Sequence, residues 1–416
     1  MWESLDPEDW RASKRTDLSS VHEAVAQIIE RVRGGGDAAL KEITMELDGQ
    51  DLEEIRVPKE ELEGAFDLVD PAIVKALNDV YYRISRFHRM QMPPSAWFGE
   101  AGAGIILGMK SEPLERVGAY IPGGRASYPS TVLMATVPAR VAGVPQICCC
   151  TPPPISPITL VALYIAGVRE VYCLGGAQAI AAMALGTETI SPVQKVVGPG
   201  NIYVTAAKMM VSDLVDIDFP AGPSEIVIVA DDSANPDFIA ADILAQAEHD
   251  PMASCALVTV DPKLPEQIWG CIESRLDSAP RKEIIKKALE NSGFMVVDNV
   301  EAAVEACNKM APEHLSIQLR DPWPAVDMVR NAGSVFVGRY SAVACGDYAS
   351  GTNHILPTAG YSSIKSGLDV NHFLRRTSVQ MVSREGLDQI GDMIITLAKA
   401  EGLYEHARSV EIRRKG

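Results

Sequence analysis

Nowhere does this chain reach the roughly 18 to 20 consecutive apolar residues that a membrane-spanning helix needs, so a bilayer has nothing to hold. A cationic surplus is missing as well. The 38 Lys and Arg face 55 Asp and Glu, a formal net charge of −17, whereas nucleic-acid affinity comes largely from cations that neutralise phosphates. A nucleic-acid partner is therefore not expected; the acidic balance favours solubility and says nothing about fold. None of the eight cysteines forms a C-x-x-C pair, so the familiar zinc-ribbon and thiol-redox spacings are absent. Three of them, Cys148, Cys149 and Cys150, sit together in an apolar run, where they read as small hydrophobes in a reducing compartment rather than disulfide or metal partners. The opening residues, Met1 to Pro7, are acidic and carry no apolar segment of the secretory kind, so a cytoplasmic location is expected. Neither an internal repeat nor a low-complexity tract stands out.

What is present is an ordinary globular composition, 47% hydrophobic and 22% charged. At 416 residues the chain is too long for one hydrophobic core, and two or three domains are expected. Apolar residues at Val21, Val25, Ile28, Ile29 and Val32 have helical spacing that stops at Gly34-Gly35-Gly36, and a second helix runs from Asp37 to about Gly49. From about Val117 short apolar runs alternate with helical segments. Residues 144–150, 170–174, 195–197 and 225–230 read as buried strands, with helices at 131–141, 158–166, 177–185 and 202–211 between them. This is the pattern of a parallel sheet wrapped by helices. A second series follows, with strands near 256–260, 293–297 and 333–337 and helices at 264–276, 282–289 and 300–309. The tail from Ser383 is helical, with Leu387, Ile390, Ile394 and Leu397 at three- and four-residue steps.

Three glycine turns punctuate the first series: Tyr120-Ile121-Pro122-Gly123-Gly124, Gly175-Gly176-Ala177-Gln178 and Gly198-Pro199-Gly200-Asn201. The last follows a strand and opens a helix, but Tyr203 stands where a dinucleotide fingerprint has its third glycine, so the standard GxGxxG motif fails. A weaker expectation survives. Strand-to-helix turns of this kind present backbone N–H groups suited to a phosphate or carboxylate, and three such turns on one sheet edge lie where ligands bind in open α/β sheets. Tight turns need glycine for conformational reasons too.

Histidine usage is sharper. His22, His88 and His372 lack unusual polar neighbours and read as surface or satisfied-core residues, whereas His249, His314, His354 and His406 lie among carboxylates and amides. Asn235-Pro236 is a good helix start, which puts Asp242, Gln246 and His249 on one face; such a pair can reach a metal or simply form a solvated helix end. Glu313-His314 follows Pro312, whose presence suggests a turn or helix start from which both side chains reach one site. The pair offers two proton acceptors of different natural pKa; equally, Glu313 suits a helix N-terminus and His314 is incidental. The stretch from Cys345 to Thr358 is polar and glycine-rich, with no pattern that buries it, which favours a site over a core. Glu401 and His406 flank Gly402 and converge only if the chain turns there.

Taken together, these strings resemble histidinol dehydrogenase. The resemblance rests on Val117 to Gly124, Gly175 to Gln178, Gly198 to Asn201, Ala221 to Glu225, Gln246 to His249, Ala311 to His314, Gly346 to His354 and Glu401 to His406, in the family's order, from about residue 20 to near the end. It implies one zinc ion per subunit on Gln246, His249, Asp347 and His406, an N/O set open to exchange as in catalytic metal sites. It further implies substrate contacts from those four residues together with Ser224, His314, His354 and Glu401, and NAD contacts from Tyr120, Gln178 and Asn201. Glu313 and His314 are the implied catalytic pair. The resemblance implies as the reaction the oxidation of L-histidinol through L-histidinaldehyde to L-histidine with two NAD, the last step of histidine biosynthesis, in a homodimer whose C-terminal tail enters the neighbour's site. Departures from the family lie mainly in connecting regions, residues 125–129 and 362–372, and touch the pocket rim.

The expected fold is α/β: two incomplete Rossmann-like parallel-sheet domains with a helical N-terminal segment and C-terminal tail. The expected division is 1–18 as the N-terminal segment, 19–119 plus 226–368 as the zinc and catalytic domain, 120–225 as the NAD side, and 369–416 as the helical tail. Three rivals are a related zinc- and NAD-dependent dehydrogenase of another small hydroxyl compound such as a sulfonated diol, a zinc hydrolase with Glu313 as base, and a metal-binding protein without catalysis. Retention of Glu313-His314, His354 and Glu401 favours histidinol.

Overall fold

The computed structural model describes residues 2–14, 17–123, 127–220 and 222–415. Gly124 of the first glycine turn, Arg125 and Ala126 at the expected pocket rim, and Ala221 lie outside the described residues. The chain divides into two compact units, Met1–Gln91 with Glu115–Phe373, and Met92–Leu114 with Leu374–Gly416.

The first unit is a mixed α/β structure with two all-parallel sheets. Six strands follow the order Glu3–Ser4, Gly293–Val296, Ser254–Thr259, Glu225–Ala230, His314–Gln318 and Ser334–Val337. Five more follow the order Glu170–Cys173, Gln146–Thr151, Arg116–Tyr120, Lys195–Val197 and Asp216–Ile217. Parallel strands need helical crossovers on both faces, so their sequences are apolar throughout rather than alternating. The strand Glu225–Ala230 shows why. Ile226 and Ile228 pack with Ile243, Leu257 and Ile268 on one face, while Val227 and Val229 pack with Val258, Val304 and Ile317 on the other. Cys148, Cys149 and Cys150 are wholly buried, and burial raises their thiols well out of the reactive range. They are small core residues, as expected.

The layout departs from the expected division in three ways. The helical run Ser19–Asp48, kinked at Gly36 (φ 51°), buries Val21, Val25, Ile29, Leu40 and Ile43 with Cys148, Cys150, Ile180 and Val196 of the five-stranded sheet. The N-terminal helices thus belong with that sheet, whose central strand Arg116–Tyr120 straddles the expected boundary at residue 120. Periodicity reveals that a helix has an apolar stripe, not which sheet covers it. Residues 1–18 are not a separate segment: Glu3–Ser4 is an edge strand of the six-stranded sheet, and Trp10 joins its core.

The third departure lies in the second unit. The expected helical tail opens with the nine-residue strand Leu374–Val382, antiparallel to Ile105–Pro113, which pairs in turn with Ala96–Gly102. Eight of those nine tail residues are exposed, so no buried face marks the strand in the sequence. The helices Arg384–Ala400 and Tyr404–Lys415 complete the unit.

Candidate active site

The strand order of the six-stranded sheet reverses between Glu225–Ala230 and His314–Gln318. These neighbours pair in parallel, with His314 opposite Ile226. The site therefore gathers at the amino ends of the two strands, not at the carboxyl ends where open α/β sheets usually bind ligands. Approach to the second strand is sharp. Ala311 (φ 49°) ends the helix Val300–Met310 in the left-handed region, Pro312 follows, and the strand begins at His314. The expected helix start at Pro312 is thus replaced by a turn into a strand, and the helix-dipole explanation for Glu313 falls with it.

Glu313 and His314 are 5% and 4% exposed. One Glu313 carboxylate oxygen accepts the Glu225 N–H at 2.9 Å, and the Glu225 carboxylate accepts the Glu313 N–H at 3.3 Å. The Ser224 hydroxyl also bonds to Glu313. Burial drives the Glu313 carboxyl well above the usual range, helped by the nearby negative charges of Glu225 and Asp347. Glu225, wholly buried, is pushed to about 8 by the same desolvation, with Lys14 and the amides of Glu313, Ala359 and Gly360 opposing it.

The His314 ring stands 3.7 Å from the Glu313 carboxylate and 3.8 Å from that of Asp347. Neither ring nitrogen has a hydrogen-bond partner among the described residues. Desolvation lowers its pKa to about 3, with His354 and His249 adding repulsion. His314 is therefore a neutral imidazole at working pH, able to accept a proton. His354 is committed differently. Its Nδ1 lies 2.9 Å from the Asp347 carbonyl oxygen, so that nitrogen carries the hydrogen, and its Nε2 accepts from the Thr131 hydroxyl at 3.3 Å. No ring nitrogen of His354 is left over, so the expected substrate contact requires Thr131 to be displaced.

Asp347 sits in a single π-helical turn, Cys345–Ala349, and burial raises its carboxyl to about 7. Asn235 caps the helix Pro236–Ala247 through the Asp237 N–H, with Pro236 at its first position, as the sequence predicts. Gln246 is buried on this helix. His249 lies just beyond it, its N–H donating to the Gln246 carbonyl at 3.3 Å. The residue is exposed, and desolvation by the surrounding protein lowers its pKa from the usual value. Gln246, His249, Asp347, His314, His354, Glu313 and Ser224 thus belong to one neighbourhood of the first unit. Glu401 caps the helix Arg384–Ala400, Gly402 (φ 76°) turns the chain, and His406 follows in the next helix, both side chains exposed in the second unit.

No group of three His, Cys, Asp or Glu able to hold a metal occurs among the described residues. The expected zinc set takes only His249 and Asp347 of those types from the first unit. Its donor chemistry nevertheless fits a divalent cation: a carboxylate with no hydrogen bond to it among the described residues, a neutral imidazole and an amide.

Tyr120, Gln178 and Asn201 gather at the carboxyl edge of the five-stranded sheet, where its strand order reverses between Arg116–Tyr120 and Lys195–Val197. Two expected free amides are in fact occupied. The Gly176 N–H donates to the Tyr120 hydroxyl at 3.2 Å, and the Gly198 N–H donates to Asp218 at 2.8 Å. Asn201 caps the helix Ile202–Met210 through the N–H groups of Tyr203 and Val204. Among the described residues, the Tyr120 O–H, the Asn201 NH₂ and the whole Gln178 amide remain for a ligand, the last fully buried with neither polar atom paired. A buried amide left unsatisfied costs stability and suits a nucleotide ligand that satisfies it. Sequence reasoning gave no role to Glu225, Thr131, Lys208 or Asp218; only Glu225, inside a quoted string, carried any signal.

A family model described as histidinol dehydrogenase matches residues 11–414. The chain is 48% identical over 405 residues to the histidinol dehydrogenase of Methanosarcina mazei, covering 96% of this chain and 94% of the relative. The corresponding protein of Archaeoglobus fulgidus is 47% identical over 410 residues, covering 97% and 98%. The crystal structure of histidinol dehydrogenase from Elizabethkingia anophelis matches with a TM-score of 0.95 at 38% identity, covering 99% of this chain and 97% of that one.

Proposed function

The chain belongs to the histidinol dehydrogenase family, NAD-linked oxidoreductases of histidine biosynthesis, and from that premise we propose that Glu313 and His314 divide a two-step oxidation of L-histidinol between them. The observation that carries this is the neutral, unpartnered His314 ring held 3.7 Å from the Glu313 carboxylate. In the first step His314 takes the hydroxyl proton while hydride leaves the alcohol carbon for NAD, giving the aldehyde. In the second, Glu313 takes a proton from water as its oxygen adds to the aldehyde carbon. The aldehyde oxygen takes back the proton held by His314; the hydrate then gives a hydroxyl proton to His314 as hydride passes to a second NAD, and the acid proton goes to solvent, leaving the carboxylate of histidine. A carboxyl raised by burial is a strong base once ionised and a ready acid once protonated, which suits this work.

Gln246, His249, Asp347 and His406 contributed by a second subunit are the proposed zinc ligands and also line the substrate site. Zinc held by these residues would supply a fixed positive charge that anchors the substrate. Ser224 and His354, with Glu401 contributed by the second subunit, complete the pocket, and His354 also orients the Asp347 turn. Tyr120, Gln178 and Asn201 hold NAD. A homodimer is supported by Phe98, Val379 and Met381, exposed together on one face of the three-stranded sheet, since exposed apolar surface marks an interaction site. Among the described residues no helix is long and apolar enough to cross a membrane; a cytoplasmic location is part of this reading. The alternative substrate, a sulfonated diol, has no support among the relatives.

The test follows NAD reduction by absorbance with histidinol, with other alcohols and with no substrate. Two NADH per histidinol is the expected result. Reduction with a sulfonated diol but not histidinol overturns the substrate, and none with any alcohol overturns the redox reading.

A further inference from the structure

Lys208 and Asp218 form an ion pair whose side chains are only 2% and 1% exposed. Charges this deep are expensive, because desolvation costs several kcal/mol per ion and a well-packed apolar pair is often as stable. What an apolar pair cannot supply is polar grip, and here the grip closes on one residue. The Lys208 ammonium donates to the Gly198 carbonyl at 3.1 Å and to the Phe219 carbonyl at 3.3 Å. Asp218 accepts the Gly198 N–H at 2.8 Å through one oxygen and faces the Lys208 ammonium with the other. Both backbone polar groups of Gly198 are therefore held by the two ends of one buried pair.

Gly198 is the hinge of the cofactor edge. Its φ of 115° lies outside the range of residues with a side chain, and a Cβ there would strike the Tyr120 backbone. The close approach sets Gly198 directly against Tyr120, and three residues later Asn201 begins the helix on which Lys208 itself lies. The pair thus ties together the Gly198 turn, the segment at Phe219 and the helix that carries Asn201. We infer that Lys208 and Asp218 are positioning residues that set the spacing of Tyr120 and Asn201, and through it the affinity for the nicotinamide dinucleotide. This rests on the reading above that NAD binds at this edge. The contacts of the pair are with Gly198, Phe219 and each other, so its role is positioning rather than catalytic.

The test uses the full-length, zinc-loaded dimer. In K208M/D218N both charges leave together, so no buried ion is stranded. D218N alone, which keeps an oxygen acceptor near Lys208, serves if the double variant does not fold. NAD dissociation constants are measured calorimetrically without substrate, beside histidinol binding without NAD, melting temperature, and KM for NAD against kcat. The expected result is a folded variant with NAD binding weakened roughly ten- to a hundredfold, as for a sub-ångström to ångström misplacement of contact groups. Histidinol binding stays within about twofold and kcat at saturating NAD is largely kept, a split that a general loss of stability does not produce. Unchanged NAD affinity in the folded variant overturns the inference. A Gln178→Met variant runs in parallel. If it weakens NAD and the pair's variants do not, the positioning role fails while the NAD site stands. If neither weakens NAD, the location of the cofactor is wrong and the inference falls with it.

Discussion

Glu313 and Glu225 exchange backbone-to-carboxylate hydrogen bonds across neighbouring parallel strands, at 2.9 and 3.3 Å, with both carboxyls buried. Two acids so placed disfavour double ionisation, and the Glu225 N–H gives the Glu313 carboxylate a fixed orientation toward His314.

Replacing Glu313 by Gln keeps an oxygen to accept the Glu225 N–H, so the fold survives while the second proton acceptor is lost. Oxidation of histidinaldehyde is expected to fall by roughly 10²- to 10⁴-fold, the range of general-base contributions, with a smaller loss for the first hydride transfer. Single-turnover NADH formation from the alcohol and from the aldehyde separates the two; equal losses sink the division of labour.

Glu225 makes stability depend on pH. Its folded pKa is about 8 against an ordinary value of 4.5, so between these values the native state holds a proton that the unfolded chain has released. Stability therefore falls as pH rises through that window, at about 1.4 kcal/mol per unit of difference in pKa. Glu225→Gln is expected to flatten the decline, with its stability gain over the parent growing from pH 5 to pH 8. Urea unfolding at a series of pH values reads it, and an unchanged slope refutes the assignment.

Gln178 is expected to trade stability for binding. Its buried amide has no partner among the described residues, a cost of roughly 1–3 kcal/mol, so Gln178→Met raises the melting temperature of the cofactor-free protein while weakening NAD. A lower melting temperature counts against an unsatisfied amide.

Chelation of zinc is expected to abolish turnover, lower the melting temperature through loss of a ligand that binds only the native state, and leave the parallel sheets intact by circular dichroism. Asp347→Ala should weaken zinc by more than the roughly 10- to 100-fold seen for residues outside the ligand shell. Metal content after dialysis checks it; full retention of zinc removes Asp347 from the ligand set.

Hydrophobic runs and punctuation made most of the first unit legible. The strands at 225–230 and 195–197, the cap at Asn235 and the turns at Gly175 and Gly198 depend on neighbours within a few residues, where propensity and periodicity act. The exposed strand Leu374–Val382 escaped notice because no buried face records its partner, and the two-residue strand Glu3–Ser4 is too short to show any period.

The sequence by itself determined which segments are apolar, where helices begin and which polar residues cluster near glycine turns, because those properties act over short stretches of chain. Only the tertiary structure decided that Glu225 faces Glu313, that Thr131 and the Asp347 carbonyl occupy His354 while His314 stays uncommitted, and that Lys208 and Asp218 grip Gly198. Pairings such as Glu225 with Glu313, 88 positions apart, or Thr131 with His354, 223 apart, arise from strand order and packing, and no local pattern encodes them.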